Sequence, residues 1–211
     1  MNDLIRSSPN SNSLVAADTY RPLLERDVSS GDMPNVTAFS VVYNLPAGRG
    51  HSLWSSGLGN SVLGGWWLNS MLTLQSGMPV TITQATNNNA FAGFALQRPN
   101  MIGPPNLPSS QRTPAHFINT AAFQTAPQFV IGNASRNPAR GPAYRTLDLA
   151  LSKHIGLPRE TEMEFRAELY DVTNTPEFAQ PSGSFGSPAF GSITSTVTDP
   201  RVAQFVLRIR K

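Results

Sequence analysis

The chain has 211 residues, of which only 14% are charged, and a formal charge of +3 carried almost wholly by arginine. A net charge this small says little about nucleic acid. The absence of cysteine removes disulfides, thiolate nucleophiles and Cys-based metal sites. Few helix-favouring surface residues (Lys153 and Lys211 are the only lysines) and many Gly, Pro, Asn, Ser and Thr favour an all-β, loop-rich chain.

Residues 1–34 are polar, with Asp18, Glu25, Asp27 and Asp32, and read as a loop or tail with one weak strand near Tyr20–Leu24. Met1–Ser13 lacks the apolar stretch of a signal peptide, so an export signal would have to lie outside this sequence. No apolar run reaches the roughly 18 residues of a transmembrane helix.

The first strand is expected at Val36–Leu45. Phe39, Val41, Tyr43 and Leu45 share one face, and the alternation has period two. Pro46–Gly50 breaks it. A second strand runs over Leu63–Ser76, long for a soluble strand and suited to a tilted membrane-crossing one. Trp66 and Trp67 stand at its beginning, where an aromatic girdle would meet the lipid–water interface. A buried tryptophan pair in a soluble sandwich fits this dipeptide equally well. Val80–Thr83 is expected to continue the strand past the Gly77-Met-Pro79 break.

A long loop, about 84–143, follows, punctuated by prolines. Such a loop would be unusual in a compact soluble domain but is normal on the outer side of an outer-membrane barrel. Three more strands are expected at Tyr144–Ile155, Thr161–Val172 and Val202–Arg210. The fourth alternates most cleanly: Met163, Phe165, Ala167 and Leu169 against Glu162, Glu164, Arg166, Glu168 and Tyr170. A second loop, about 174–200, separates the last two strands. In lipid this alternation places apolar residues outward and polar ones toward a wet lumen. In water it places them the other way round. Strand length and loop asymmetry favour the membrane reading.

Candidate chemistry is sparse. From Met33 to Leu147 there is no Asp or Glu, so more than half of the chain offers no carboxylate for acid–base work or hard-cation binding. His51, His116 and His154 are isolated from one another, no Gly-x-Ser-x-Gly elbow is present, and Gly57-Leu-Gly59 lacks the third glycine of a dinucleotide motif. The expectation is therefore no catalytic residue, cofactor or metal. Two non-catalytic sites are expected. A hairpin across Gly156–Glu160 would place Asp148 opposite Arg166, Ala150 opposite Glu164 and Leu149 opposite Phe165, making a lumen-side ion pair that glues two strands. The acid-free loop carries Arg98, Arg112 and Arg136, which could contact anions such as lipopolysaccharide phosphates. The plainer alternative is arginines bonded to loop carbonyls.

Several stretches resemble one family. They are Ser40-Val-Val-Tyr-Asn-Leu-Pro-Ala-Gly-Arg-Gly50, Leu63-Gly-Gly-Trp-Trp-Leu68, Leu72-Thr-Leu-Gln-Ser-Gly-Met-Pro79, Gln97-Arg-Pro-Asn100, Phe117-Ile-Asn-Thr-Ala-Ala-Phe123, Gly132-Asn-Ala-Ser-Arg-Asn137, Arg140-Gly-Pro-Ala-Tyr-Arg-Thr-Leu-Asp-Leu-Ala-Leu-Ser-Lys153, Phe165-Arg-Ala-Glu168 with Asn174-Thr-Pro-Glu-Phe178, Phe190-Gly-Ser-Ile-Thr194 and Asp199-Pro-Arg201. In this order and spacing, from about Tyr20 to Lys211, the chain resembles the C-terminal barrel segment of a TonB-dependent receptor of the Oar-like family. The resemblance implies a barrel of about 22 antiparallel strands with an N-terminal plug. About five of those strands are expected within 35–211. The family usually ends on an aromatic residue, whereas this chain ends on Lys211.

The expectation is thus an all-β fold: antiparallel strands of a partial transmembrane β-barrel, with long loops, in the cell outer membrane. The chain would be a fragment lacking plug and signal, with outer-membrane lipid and lipopolysaccharide around it. The rest of the barrel and its plug would be its protein partners. The energy-coupling complex would be reached only through the intact parent, and nucleic acid would not be a partner. The alternative is an outer-membrane adhesion or ligand-binding surface module, and a soluble β-sandwich enzyme or lectin ranks last.

Overall fold

The computed structural model describes residues 26–47, 62, 64–86 and 97–211. The weak strand expected near Tyr20–Leu24 lies outside them. Eleven strands follow in chain order among the described residues: β1 (Val36–Asn44), β2 (Trp66–Gln75), β3 (Pro79–Val80), β4 (Thr83–Gln84), β5 (Asn100–Met101), β6 (Phe123–Gln124), β7 (Ala139–Arg140), β8 (Tyr144–Leu157), β9 (Thr161–Tyr170), β10 (Ser184–Phe185) and β11 (Val202–Arg210). They divide between two units.

The five long strands form one antiparallel sheet in the order β1-β2-β8-β9-β11. Its ladders run unbroken, from Val36↔Gln75 to Asn44↔Trp67, from Trp66↔Lys153 to Gln75↔Tyr144, and from Val202↔Tyr170 to Arg210↔Glu162. Directly paired residues share a face, so the register carries the alternation from strand to strand. One face collects Phe39, Val41 and Tyr43 of β1, then Trp66, Leu68, Leu72 and Leu74 of β2. It continues through Leu147, Leu149, Leu151 and Ile155 of β8, Met163, Phe165 and Leu169 of β9, and Phe205, Leu207 and Ile209 of β11. Much of this apolar face is open, with Phe39 60% and Phe205 70% exposed. The 9 residues of β1 span about 30 Å at about 3.3 Å per residue, enough when tilted to cross the apolar band of an outer membrane.

The β8–β9 hairpin differs from expectation in register. The break expected at Gly156 does not occur, because Gly156 pairs with Glu162 and Leu157 with Thr161. The turn is confined to Pro158, Arg159 and Glu160, and the last two adopt left-handed conformations, φ 63° and 59°. Relative to the expected pairing, β9 is shifted by four residues. Arg166 therefore stands opposite Ser152, and Ala150 opposite Glu168. An even shift keeps each side chain on its face but changes its partner. The strand ends at Tyr170, before Asp171 at φ 47°.

The second unit comprises 76–143 and 177–197, joined among the described residues by 26–34. The second strand does not continue through Val80–Thr83. Instead β3 pairs with β7, β4 pairs in parallel with β10, and β5 pairs with β6. The backbone turns at Gly77, where a Cβ would lie 2.0 Å from the Gly141 carbonyl oxygen, so only glycine fits. The segment expected as a long loop contributes Ile118, Ala122, Phe123 and Ala139 to a small core completed by Val80 and Ile82 just before it, with Met101 and, from the second loop, Phe185 and Phe190 against it. Phe123, Phe185 and Phe190 meet at centroid distances of 5.3–6.3 Å. The end of the polar N-terminal stretch is held to this unit. Asp27 accepts the Asn137 backbone N–H at 2.7 Å, and Asp32 pairs with the Arg140 guanidinium, which also donates to the Gly77 carbonyl at 3.1 Å.

Candidate functional site: the polar face of the strand wall

The face opposite the leucines is built from the alternate residues of the same five strands. β9 contributes Glu162, Glu164, Arg166, Glu168 and Tyr170, because side chains two apart on a strand point the same way. Arg166 donates to Glu164 through Nη2 at 2.6 Å and Nε at 3.2 Å, and to Glu168 through Nη1 at 3.3 Å. The Tyr170 hydroxyl donates to the other Glu168 oxygen at 3.0 Å. From β11, Arg208 stands directly opposite Glu164, and the Arg208 and Arg210 guanidiniums lie 3.7 and 3.9 Å from it. Glu164 is 7% exposed and is met by three guanidiniums, which offset the cost of removing its carboxylate from water. His154 of β8 meets Glu162 at 2.9 Å and lies edge-on to Trp67 at 6.4 Å.

The expected ion pair between Asp148 and Arg166 is not formed. Both residues lie on the polar face, but the four-residue shift places Ser152 across from Arg166. Asp148 instead accepts the backbone N–H of Asp171 at 2.9 Å and anchors the chain as it leaves β9. Arg166 is engaged instead by two glutamates of its own strand. The run Glu164-Phe-Arg166-Ala-Glu168 itself sets the three charges on one face, two residues apart, as a same-strand cluster that cross-strand register does not determine. A groove on this face is lined by Ser40, Asn69, Asp148, Glu168 and Tyr170 beside Val42 and Met71.

The three loop arginines do not form an exposed anion site. Arg98 is 2% exposed and Arg136 is 7% exposed, so the loop fold encloses them. Arg112 donates through Nε to the Leu107 carbonyl at 2.7 Å and stacks 5.4 Å over the Phe117 ring. Of the three histidines, His51 lies outside the described residues. The His116 backbone N–H closes a turn with Thr113. Among the described residues, no three His, Asp or Glu side chains converge as a metal site.

The rim of the sheet at the β8–β9 turn is marked by aromatic residues. Tyr43 and Trp66 lie on the apolar face there, and the Trp66 Nε1–H donates to the Val62 carbonyl at 2.8 Å. Lys153 lies 5.1 Å over the Trp66 ring and donates to the same carbonyl at 2.6 Å. An apolar face ending in aromatics and a tethered cation, backed by a charged face, is the pattern of a strand wall with lipid on one side and a wet lumen on the other.

The molecule is therefore an all-β membrane wall of the outer-membrane barrel class. Residues 1–204 match the model of the outer membrane beta barrel domain family, and the chain belongs to that family. Its place is the outer membrane. Neither curated proteins nor solved structures include a match to it.

Proposed function

We propose that this wall is part of a TonB-dependent receptor of the Oar-like kind, and that its role is passage of a substrate across the outer membrane without covalent chemistry. The observation that carries the reading is the open sheet. Among the described residues β1 and β11 each pair on one side only, leaving two long edges. Lipid cannot satisfy unpaired backbone groups, so these edges need further strands. A large barrel with a plug supplies them and gives the charged face a lumen to line. The ordered motifs from Ser40 to Arg201 support the same reading. The energy-coupling complex would act through the plug of the intact receptor, and outer-membrane lipid would surround the apolar face.

The core of the loop unit favours a second reading, an outer-membrane adhesion or ligand-binding module in which the strands are a scaffold. Uptake of labelled ligand by cells with and without the inner-membrane energy complex separates the two. Uptake that requires the complex supports the receptor. Ligand retained at the surface equally in both strains supports the binding module.

A further inference from the structure

The apolar face of the sheet carries two cations, at opposite ends of β8. Lys153, at the turn end, is tethered to the Val62 carbonyl and the Trp66 ring. Arg145, at the end from which both long connections depart, is different. It is exposed, stands opposite Leu74, and no hydrogen bond, ion pair or ring contact engages its guanidinium among the described residues. A cation on a lipid-facing wall is tolerated only near the interface and gains from an anion there. Arg145 also sits on a groove lined by Leu72, Leu74 and Leu147, with Thr173 and Thr175 at its side.

We infer that this groove binds a phosphate-bearing membrane lipid. The Arg145 guanidinium takes the phosphate through its paired N–H donors, and an acyl chain lies along Leu72, Leu74 and Leu147. The charge is complementary, the fork of Arg matches a phosphate, and the leucine floor gives a chain somewhere to lie that a free phosphate would leave empty. The inference rests on the wall lying in the outer membrane and not on what the barrel carries, so losing it leaves the transport reading intact.

The test uses the full chain in zwitterionic detergent micelles, titrated with fluorescent diphosphoryl lipid A, with far-UV circular dichroism reporting strand content for each variant. Arg145→Gln is expected to weaken binding about tenfold, the scale of one lost charge-assisted contact. Arg145→Lys should recover part of it, and Lys153→Gln should leave it unchanged. Lipid A stripped of phosphate should bind the wild-type chain no better than it binds Arg145→Gln. Equal binding by wild type and Arg145→Gln, equal binding of the stripped lipid, or displacement by millimolar inorganic phosphate would each overturn the proposal.

Discussion

Arg166 shows how one side chain sets the chemistry of a face. It holds Glu164 and Glu168 on its own strand, while Arg208 and Arg210 approach Glu164 from further away. Arg166→Leu should therefore lower the urea midpoint of the folded barrel more than Arg208→Leu does, because it alone strips hydrogen bonds from two carboxylates. Equal shifts for the two variants would mean that the β11 arginines carry the same share. Gly77 is a second single-residue control point. Gly77→Ala drives a methyl group into the Gly141 carbonyl and should destabilise the loop unit by at least about 1–3 kcal/mol, the usual cost of overpacking. Faster protease cleavage within 76–143, with the strand signal of circular dichroism retained, is the expected readout.

At the scale of the element, the β8–β9 hairpin explains what alternation does and does not specify. Period-two patterning identified all five long strands, with Val202–Arg210 matching in both bounds and the others displaced by a few residues where turns intervene. It also divided the faces correctly, since Asp148 and Arg166 do share one. Pairing is a different quantity. It depends on the turn, and the left-handed pair Arg159 and Glu160 moves the hairpin centre beyond Gly156. A chain without cysteine allows a direct check. Ala150→Cys with Glu168→Cys should cross-link under mild oxidation, whereas Ala150→Cys with Glu164→Cys should not. The two faces are also distinguishable by substitution. Leu149→Arg, midway along the lipid side of β8, should cost about 2–4 kcal/mol in a closed barrel co-refolded with its remaining strands into vesicles. Met71→Arg, exposed on the polar face and opposite Asp148, should cost far less, read as the difference in denaturant midpoint.

At the scale of the whole molecule, the unpaired outer edges of β1 and β11 govern behaviour. On its own in lipid vesicles, the chain should fail to give the compact, heat-sensitive gel band of a closed barrel. Co-refolding with the remaining strands of a receptor barrel should restore that band. A compact band from the chain alone would mean that copies of it close the wall among themselves, and would count against the receptor reading. The loop unit has its own core and its own glycine contacts. Long connections that fold in this way can present a defined surface to whatever approaches the barrel.

By itself the sequence determined the fold class, the membrane compartment and the division of each strand into an apolar and a polar face. The fold class and the faces follow from local periodicity and composition, which a single chain displays residue by residue, whereas the compartment came from strand length, loop asymmetry and the family resemblance. The tertiary structure decided which polar residues meet. Ion-pair partners depend on turn geometry, and turn geometry depended here on two non-glycine residues in left-handed conformations. It also decided that Arg98 and Arg136 are enclosed and that Arg145 is open. Burial of an arginine in a loop is set by backbone hydrogen bonds and by packing between residues far apart in the chain. No pattern along the sequence reports them.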